Sequence, residues 1–298
     1  MHRSSNNESL KDKIQERYMF FIKHYKDITG IALEDVKFNP IVDEKYCDFN
    51  EFYKDISKVG EGAFSSVLKG LFRKNDKVPL AIKIVSYKES FINFETKILE
   101  ALFTLVEGRH TPHITIPLFY YSCSKEHVGS FRQYIDDYRY NHNDRFGVIA
   151  MERVYSTFLD ISRKLDYNER CIIFVQIVLV MVCIHYYFPK FKHNDLHQGN
   201  FLIRKSISEG YTYYNYKGYQ FYLPNIGYQI LISDFGMSTL DIDRKHDANS
   251  DDNKNILHMY NNLLEKNSKG IDITNILFSP DFQEYTVPKK NVVLTFTL

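Results

Sequence analysis

The run His193-Asn194-Asp195-Leu196-His197-Gln198-Gly199-Asn200 gathers a carboxylate, two imidazoles and three side-chain amides within eight residues. Asp234-Phe235-Gly236 adds a second carboxylate thirty-four positions beyond Asn200. Each segment abuts a short β-rich run, Phe201 to Ile203 and Ile230 to Ile232, so pairing of those runs would bring Asp195, Asn200 and Asp234 together. Oxygen ligands from Asp234 and Asn200 suit Mg²⁺, a hard cation that keeps several waters and takes its other ligands from phosphates. Asp195 is then free to receive a proton from a hydroxyl nucleophile, a role worth about 10²–10⁴ in rate. His193 and His197, four apart, are also spaced to ligate zinc from a helix. They flank Asp195 in a loop that acid–base chemistry already accounts for.

Upstream, Val59-Gly60-Glu61-Gly62-Ala63-Phe64-Ser65-Ser66-Val67 is a glycine-rich turn between two β-rich runs. Glycines there allow close backbone approach to a ligand and aim amide N–H groups at phosphate oxygens. A hairpin turn in which glycine only supplies positive φ explains the same residues. The strand that follows excludes a dinucleotide fingerprint, which needs a helix. Ala81-Ile82-Lys83 places a lysine among apolar neighbours, where burial is expensive unless an anion meets the ammonium; alternatively its stem lies on apolar surface and its head reaches water. Glu95, on a helical pattern twelve residues later, could pair with Lys83, with Glu100 as rival.

The elements that must position these groups are legible in outline. Ile56 to Val59, Ser65 to Phe72 and Pro79 to Ser86 read as three antiparallel strands, and Phe91, Phe94, Ile98, Leu102 and Leu105 as one face of a helix packed on them. Ile114 to Ser122 and Phe146 to Glu152 supply two more strands around a polar, Tyr-rich insertion. Asn168 to Tyr187 is apolar nearly all round and hence a central helix. Ile256, Leu257, Tyr260, Leu263 and Leu264 share a helical face, with Asn249 or Ser250 as cap and Asp251 or Asp252 at its start. Such an aspartate answers the helix dipole. Between Arg204 and Gly227 lies a loop carrying six tyrosines, of unassigned purpose. Leu10 to Tyr25 repeats as an amphipathic helix.

Bulk properties narrow the classes. The chain has 298 residues, 44% hydrophobic, ample for a packed core of two lobes. Thirty-eight Lys and Arg against 37 Asp and Glu leave a net charge of +1, so no global field favours nucleic acid or an anionic membrane. The longest apolar run, Cys171 to Ile184, is interrupted by Gln176 and falls short of the roughly 18–20 residues of a membrane span. The four cysteines show no C-x-x-C pair, which fits a reducing compartment.

Taken in order, the Gly-rich loop, the strand lysine, the helix glutamate, the H-x-D-x-x-x-x-N run and D-F-G resemble the eukaryotic-type protein kinase family over roughly residues 55 to 240. The composition and the short segment after Gly236 are similar to serine/threonine kinases of large cytoplasmic DNA viruses. The resemblance implies an α+β, bilobal fold: an N-terminal helical extension over 1–52, an N-lobe over 53–152 with five strands and one helix, and an abbreviated, mainly helical C-lobe over 153–298. It implies ATP with Mg²⁺, or Mn²⁺ in its place, as cofactors. Val59 to Val67 and Ala81 would cover the nucleotide, Lys83 and Glu95 would hold its phosphates, and Met151, Glu152 and Val154 would form the hinge against adenine. Asp195 would be the base, Asn200 and Asp234 the metal ligands, and His197 would stand where serine/threonine kinases carry a lysine near the transferring phosphate. For Asp251 or Asp252 the resemblance implies, in place of an answer to the helix dipole, a hold on the backbone of the Asp195 loop. The implied substrates are protein Ser or Thr hydroxyls, with no nucleic-acid or membrane partner, and the implied location is host cytoplasm or virion. The run D-L-H-x-G-N and the absence of A-P-E after Asp234 leave a small-molecule phosphotransferase as the alternative, and a pseudokinase binding module as a third reading. Asn194 replaces an arginine that contacts phosphorylated activation loops, which argues against that form of control.

Overall fold

The structure, a computed structural model, describes residues 53–62, 65–72, 75–86, 89–136, 140–141, 145–240, 251–264, 266 and 273–297. The amphipathic helix expected within 1–52, the loop residues Ala63 and Phe64, and the cap candidates Asn249 and Ser250 lie outside these. The chain divides into two units, the first containing the described residues of 53–96 and 116–153, the second those of 97–115 and 154–297.

The first unit is built on a five-stranded antiparallel sheet: β1 (Tyr53–Glu61), β2 (Ser65–Phe72), β3 (Asn75–Ser86), β4 (Pro117–Ser124) and β5 (Arg145–Glu152), in the order β1-β2-β3-β5-β4. The period of two shows in β3, where Leu80, Ile82 and Ile84 are buried on one face while Ala81 and Lys83 point to the other. Helix α1 (Glu89–Glu107) connects β3 to β4 and buries Ile98, Leu99, Leu102, Phe103, Leu105 and Val106. It begins in the first unit and ends in the second, the division falling between Thr96 and Lys97.

The second unit is organised around helix α2 (Tyr167–Tyr187). A capping box starts it: Asp166 accepts from the Glu169 N–H at 2.8 Å and Glu169 accepts from the Asp166 N–H at 3.0 Å. At 21 residues, with a mean hydropathy of 1.9 over an 18-residue stretch, α2 is longer than the apolar run in the sequence and could span a bilayer by length and composition. Thirteen of its residues are nevertheless buried inside the protein, which makes it a core helix. Gln176, the polar break in that run, accepts from the Ile230 N–H at 2.8 Å and so satisfies a buried strand donor. Strands β6 (Ser156–Thr157), β7 (Phe201–Lys205) and β10 (Tyr228–Ile232) form one three-stranded sheet, with β7 in the centre. Helix α3 (Asp252–Leu264) buries Ile256, Met259, Tyr260, Leu263 and Leu264.

The Tyr-rich segment expected as a loop is a folded hairpin, β8 (Tyr211–Tyr216) and β9 (Tyr219–Pro224), closed by Gly218 at φ +85°. Strand β11 (Val292–Thr297) pairs parallel to β8 and completes a second three-stranded sheet. The second unit therefore carries two small sheets beside its helices. The difference from expectation has a chemical cause: Tyr is both apolar and polar, so its alternation does not announce a buried face. Here Thr212, Tyr214 and Tyr216 all point inward. Cys171 and Cys183 are free while Cys123 is disulfide-bonded, contrary to the reduced thiols expected from spacing; pairing is decided by how close two Cβ atoms come in space.

His113 ties the hairpin to the core. Its Nδ1–H donates to the Ile230 carbonyl at 2.8 Å and its Nε2 accepts from the Tyr214 hydroxyl at 2.8 Å. Burial, with the Arg204 charge nearby, pushes its pKa down to about 3. The native state thus refuses a proton that the unfolded chain takes up near pH 6.5, so this contribution is complete above pH 6.5 and is lost as pH falls toward 3. Burial lowers His193 as well, in the same direction. Urea midpoints are expected to fall between pH 6.5 and 4, with a slope of about 1.4 kcal/mol per pH unit from His113. The slope should be shallower in His113→Gln, and equal slopes would show that His113 is not the group responsible.

Candidate active site

The sheet of the first unit delivers one cluster. Register pairs Lys83 with Val67 on β2 and with Ile149 on β5, and pairs Ala81 with Met151, so Val67, Ala81, Lys83 and Met151 share a face. Lys83 Nζ donates to Glu95 Oε1 at 2.7 Å, and both side chains are almost fully buried. Glu95, not Glu100, is the partner. Removing Lys83 would strand Glu95 as a buried charge, at a cost of about 3–5 kcal/mol.

Gly62 closes the β1–β2 turn: its N–H donates to the Ser65 carbonyl at 2.8 Å, and the Ser65 N–H donates back at 3.4 Å. Neither Gly60 nor Gly62 has positive φ. A Cβ at Gly60 would meet only the Val67 Cβ, at 3.7 Å. The turn itself therefore does not demand glycine at Gly60, and the hairpin account of that residue loses its support. Ser65 and Ser66 are buried, whereas Val59 and Glu61 are exposed, and Glu61 pairs with Lys58 at 2.9 Å. Glu152 turns inward, where its side chain accepts from the Ile116 N–H at 2.9 Å. The chain passes from the first unit to the second between Arg153 and Val154.

The second unit delivers the other cluster. In the β7–β10 ladder Phe201 faces Ile232, so Asn200 and Asp234 emerge at the same end of adjacent strands. Ser233 fastens that end, its N–H and its hydroxyl donating to the Asn200 carbonyl at 3.0 and 2.9 Å. Asn200 is buried and its Nδ2 donates to the Asp195 carbonyl at 2.7 Å and to Asp195 Oδ2 at 3.2 Å. That orientation turns the amide oxygen to the opposite side. Asp195 keeps about half its side chain exposed.

Two residues here are held at left-handed backbone angles, Asn194 at φ 64° and Asp234 at φ 61°. Neither is glycine, and such strain persists only where surrounding bonds over-determine it. For Asn194 the bonds are evident. Asp252 accepts from the His193 N–H at 2.6 Å and from the Asn194 N–H at 3.2 Å, while the Asn194 side chain donates to the Met237 carbonyl at 3.0 Å. The sequence left Asp251 and Asp252 as equals; the structure selects Asp252.

His193, fully buried, donates through Nε2 to the Ser233 carbonyl at 2.9 Å and lies against Phe235 at 5.4 Å. Although the charges of Asp252, Asp234 and Asp195 all act on this imidazole, burial outweighs them and keeps it neutral. A buried neutral histidine bonded to a carbonyl is a scaffold, which removes it from the zinc reading. His193 and Ser233 are the positioning residues that motif reading passed over; their adjacency to Asp195 and Asp234 was the available signal. His197 is exposed. Its Nδ1 accepts from the Gly199 N–H at 3.0 Å, placing the proton on Nε2, which lies 3.8 Å from Asp195 Oδ1.

The structure thus brings Lys83 to Glu95 in one unit, and Asp195, Asn200 and Asp234 to one strand end in the other. No family model matches the chain. Over 279 residues it is 25% identical to a curated "putative serine/threonine-protein kinase" of Acanthamoeba polyphaga mimivirus, a match that takes in 78% of this chain and 58% of that protein's length. A crystal structure of a kinase domain is similar at a TM-score of 0.40 and 15% identity, covering 66% of this chain and 54% of that one. The chain is protein-kinase-like in sequence.

Proposed function

We propose that this chain is a protein kinase that transfers the γ-phosphoryl group of ATP to Ser or Thr hydroxyls of protein substrates. The observation that carries the reading is the Asp195 loop: an exposed carboxylate clamped by Asn200, on a backbone strained at Asn194 and fixed by Asp252. A residue held this firmly with its acceptor oxygens open is suited to orienting a hydroxyl and taking its proton. Asp234 and the turned-out amide oxygen of Asn200 are hard oxygen donors, and would hold Mg²⁺ or Mn²⁺. When bound, such an ion neutralises charge on the phosphates.

Lys83, aimed by Glu95, would hold the nucleotide phosphates, and Val67, Ala81 and Met151 offer an apolar face for its base. Gly60, which its turn does not require, would let the loop backbone approach the phosphates. The Nε2–H of His197 is a donor available beside Asp195.

The test is incubation with labelled Mg-ATP in the presence of a generic Ser/Thr-rich protein or of a panel of amino alcohols and aminoglycosides, with acceptors identified by mass spectrometry. Phosphoserine or phosphothreonine in protein is the expected product. Label found only on small molecules would transfer the assignment to the small-molecule phosphotransferases, which D-L-H-x-G-N also fits. Failure to bind Mg-ATP would leave a binding module.

A further inference from the structure

Within the second unit, the residues just before Asp195 and those just after Asp234 run antiparallel beside each other. Their backbones meet at a single bridge: the Lys192 N–H donates to the Thr239 carbonyl at 2.9 Å, and the Thr239 N–H donates to the Lys192 carbonyl at 2.8 Å. Two side chains extend it. The buried Ser238 hydroxyl donates to the His193 carbonyl at 3.1 Å, and the Asn194 amide donates to the Met237 carbonyl at 3.0 Å. Lys192, His193 and Asn194 are thus bonded in turn to Thr239, Ser238 and Met237, the order of an antiparallel ladder. Side chains make these rungs because the backbone donors are engaged elsewhere. The Asn194 N–H goes to Asp252 and the Ser238 N–H to the Phe235 carbonyl at 3.0 Å, while φ 64° takes Asn194 out of the extended region.

We propose that Asn194 and Ser238 are positioning residues for Asp234: their side chains rivet Met237–Thr239 to the Asp195 loop and so fix the left-handed turn that carries the second carboxylate. Asp234 sits at φ 61°, and strain of that kind persists only under restraint from both sides. Upstream, Ser233 supplies it, bonded to the Asn200 carbonyl and held at its own carbonyl by His193. Downstream, the Phe235 ring is buried against His193. Apolar burial is non-directional, so it anchors the turn without orienting the peptide groups beside it. Hydrogen bonds are directional, and the two side-chain rungs provide that orientation. Asn194 is also the neighbour of Asp195, so one side chain refers both carboxylates to a common frame. The effect on metal binding rests on the kinase reading above; the effect on the Asp234 backbone does not.

The test uses the full chain carrying Ser238→Ala or Asn194→Gly, the latter because glycine keeps the left-handed angle without strain while deleting the amide. Amide hydrogen exchange over residues 233–239 is measured alongside Mn²⁺ binding in the presence of ADP, followed by the paramagnetic resonance signal of free Mn²⁺. Each variant is expected to speed exchange at Thr239 and also at Ser233, on the far side of Asp234, by about fivefold, the worth of one hydrogen bond, and to weaken Mn²⁺ binding by a similar factor. In an Asp234→Ala background neither should weaken Mn²⁺ binding further, because the ligand they position is gone. Faster exchange confined to Thr239, with Ser233 and Mn²⁺ binding unchanged, would overturn the proposal and leave the turn to Ser233 and Phe235 alone. Losses of Mn²⁺ binding that multiply with Asp234→Ala would overturn it equally. Should Asn194→Gly unfold, Ser238→Ala carries the same measurements. An original chain that binds no Mn²⁺ with ADP would refute the kinase reading, and exchange at Ser233 would still decide whether these side chains hold the Asp234 turn.

Discussion

Asp195→Asn is expected to lower turnover by about 10²–10⁴-fold while leaving ATP affinity unchanged. The substitution is close to isosteric, and the bond from Asn200 Nδ2 to the residue 195 backbone carbonyl, the shorter of the two at 2.7 Å, survives it. Asp252 keeps its hold on the His193 and Asn194 N–H groups, so the strained loop stays in place. What is lost is the basic oxygen. Single-turnover rates and calorimetric titration with nucleotide separate the two effects. Turnover at the original rate would show that Asp195 is not the base, and a matched loss of affinity would show that the loop had moved.

Removing the carboxylate beneath that loop acts through stability. In Asp252→Ala two backbone donors, the fully buried one of His193 and that of Asn194 at φ 64°, lose their acceptor. Leaving buried donors unsatisfied costs about 1–3 kcal/mol each, so a loss of roughly 2–4 kcal/mol, or a fall in melting temperature of about 5–15 °C, is expected. Asp252→Asn retains one acceptor oxygen and should lose about half as much. Where the alanine variant still folds, turnover should fall with it, because Asn194 relaxes and carries Asp195 out of line. A melting temperature within a degree of the original would mean that Asp252 answers only the α3 dipole.

The chemistry of the candidate site was largely legible in the sequence. The spacing of Asp195, Asn200 and Asp234, and the position of Lys83 among apolar residues, are local properties, and the flanking runs of Val, Ile and Leu announced the strands that align them. Hydrophobic patterning located β2, β3, β5, α1 and α2 to within a few residues: short β-rich runs marked the strands, period 3.6 marked α1, and α2 stood out by being apolar nearly all round. Three choices stayed open for lack of local signal. Glu95 and Glu100 both lie on the helical pattern after the Lys83 strand; Asp251 and Asp252 are neighbours at one helix start; Gly60 and Gly62 fit either a turn or a ligand.

Packing decided those choices. Glu95 is the one buried with Lys83, Asp252 the one turned toward the His193 amide, and the φ angles at Gly60 and Gly62 removed the conformational demand for glycine. The tyrosine-rich segment shows the limit most clearly. From sequence it is a loop of unassigned purpose, and in the fold it is a hairpin joined to β11, braced by His113 and bonded to His110. Its partners lie about 100 residues upstream and 80 downstream, as in Tyr214 to His113 and Tyr214 to Phe296. No window of sequence contains such pairs, because what selects them is the burial of a shared face, which exists only once the chain has closed on itself.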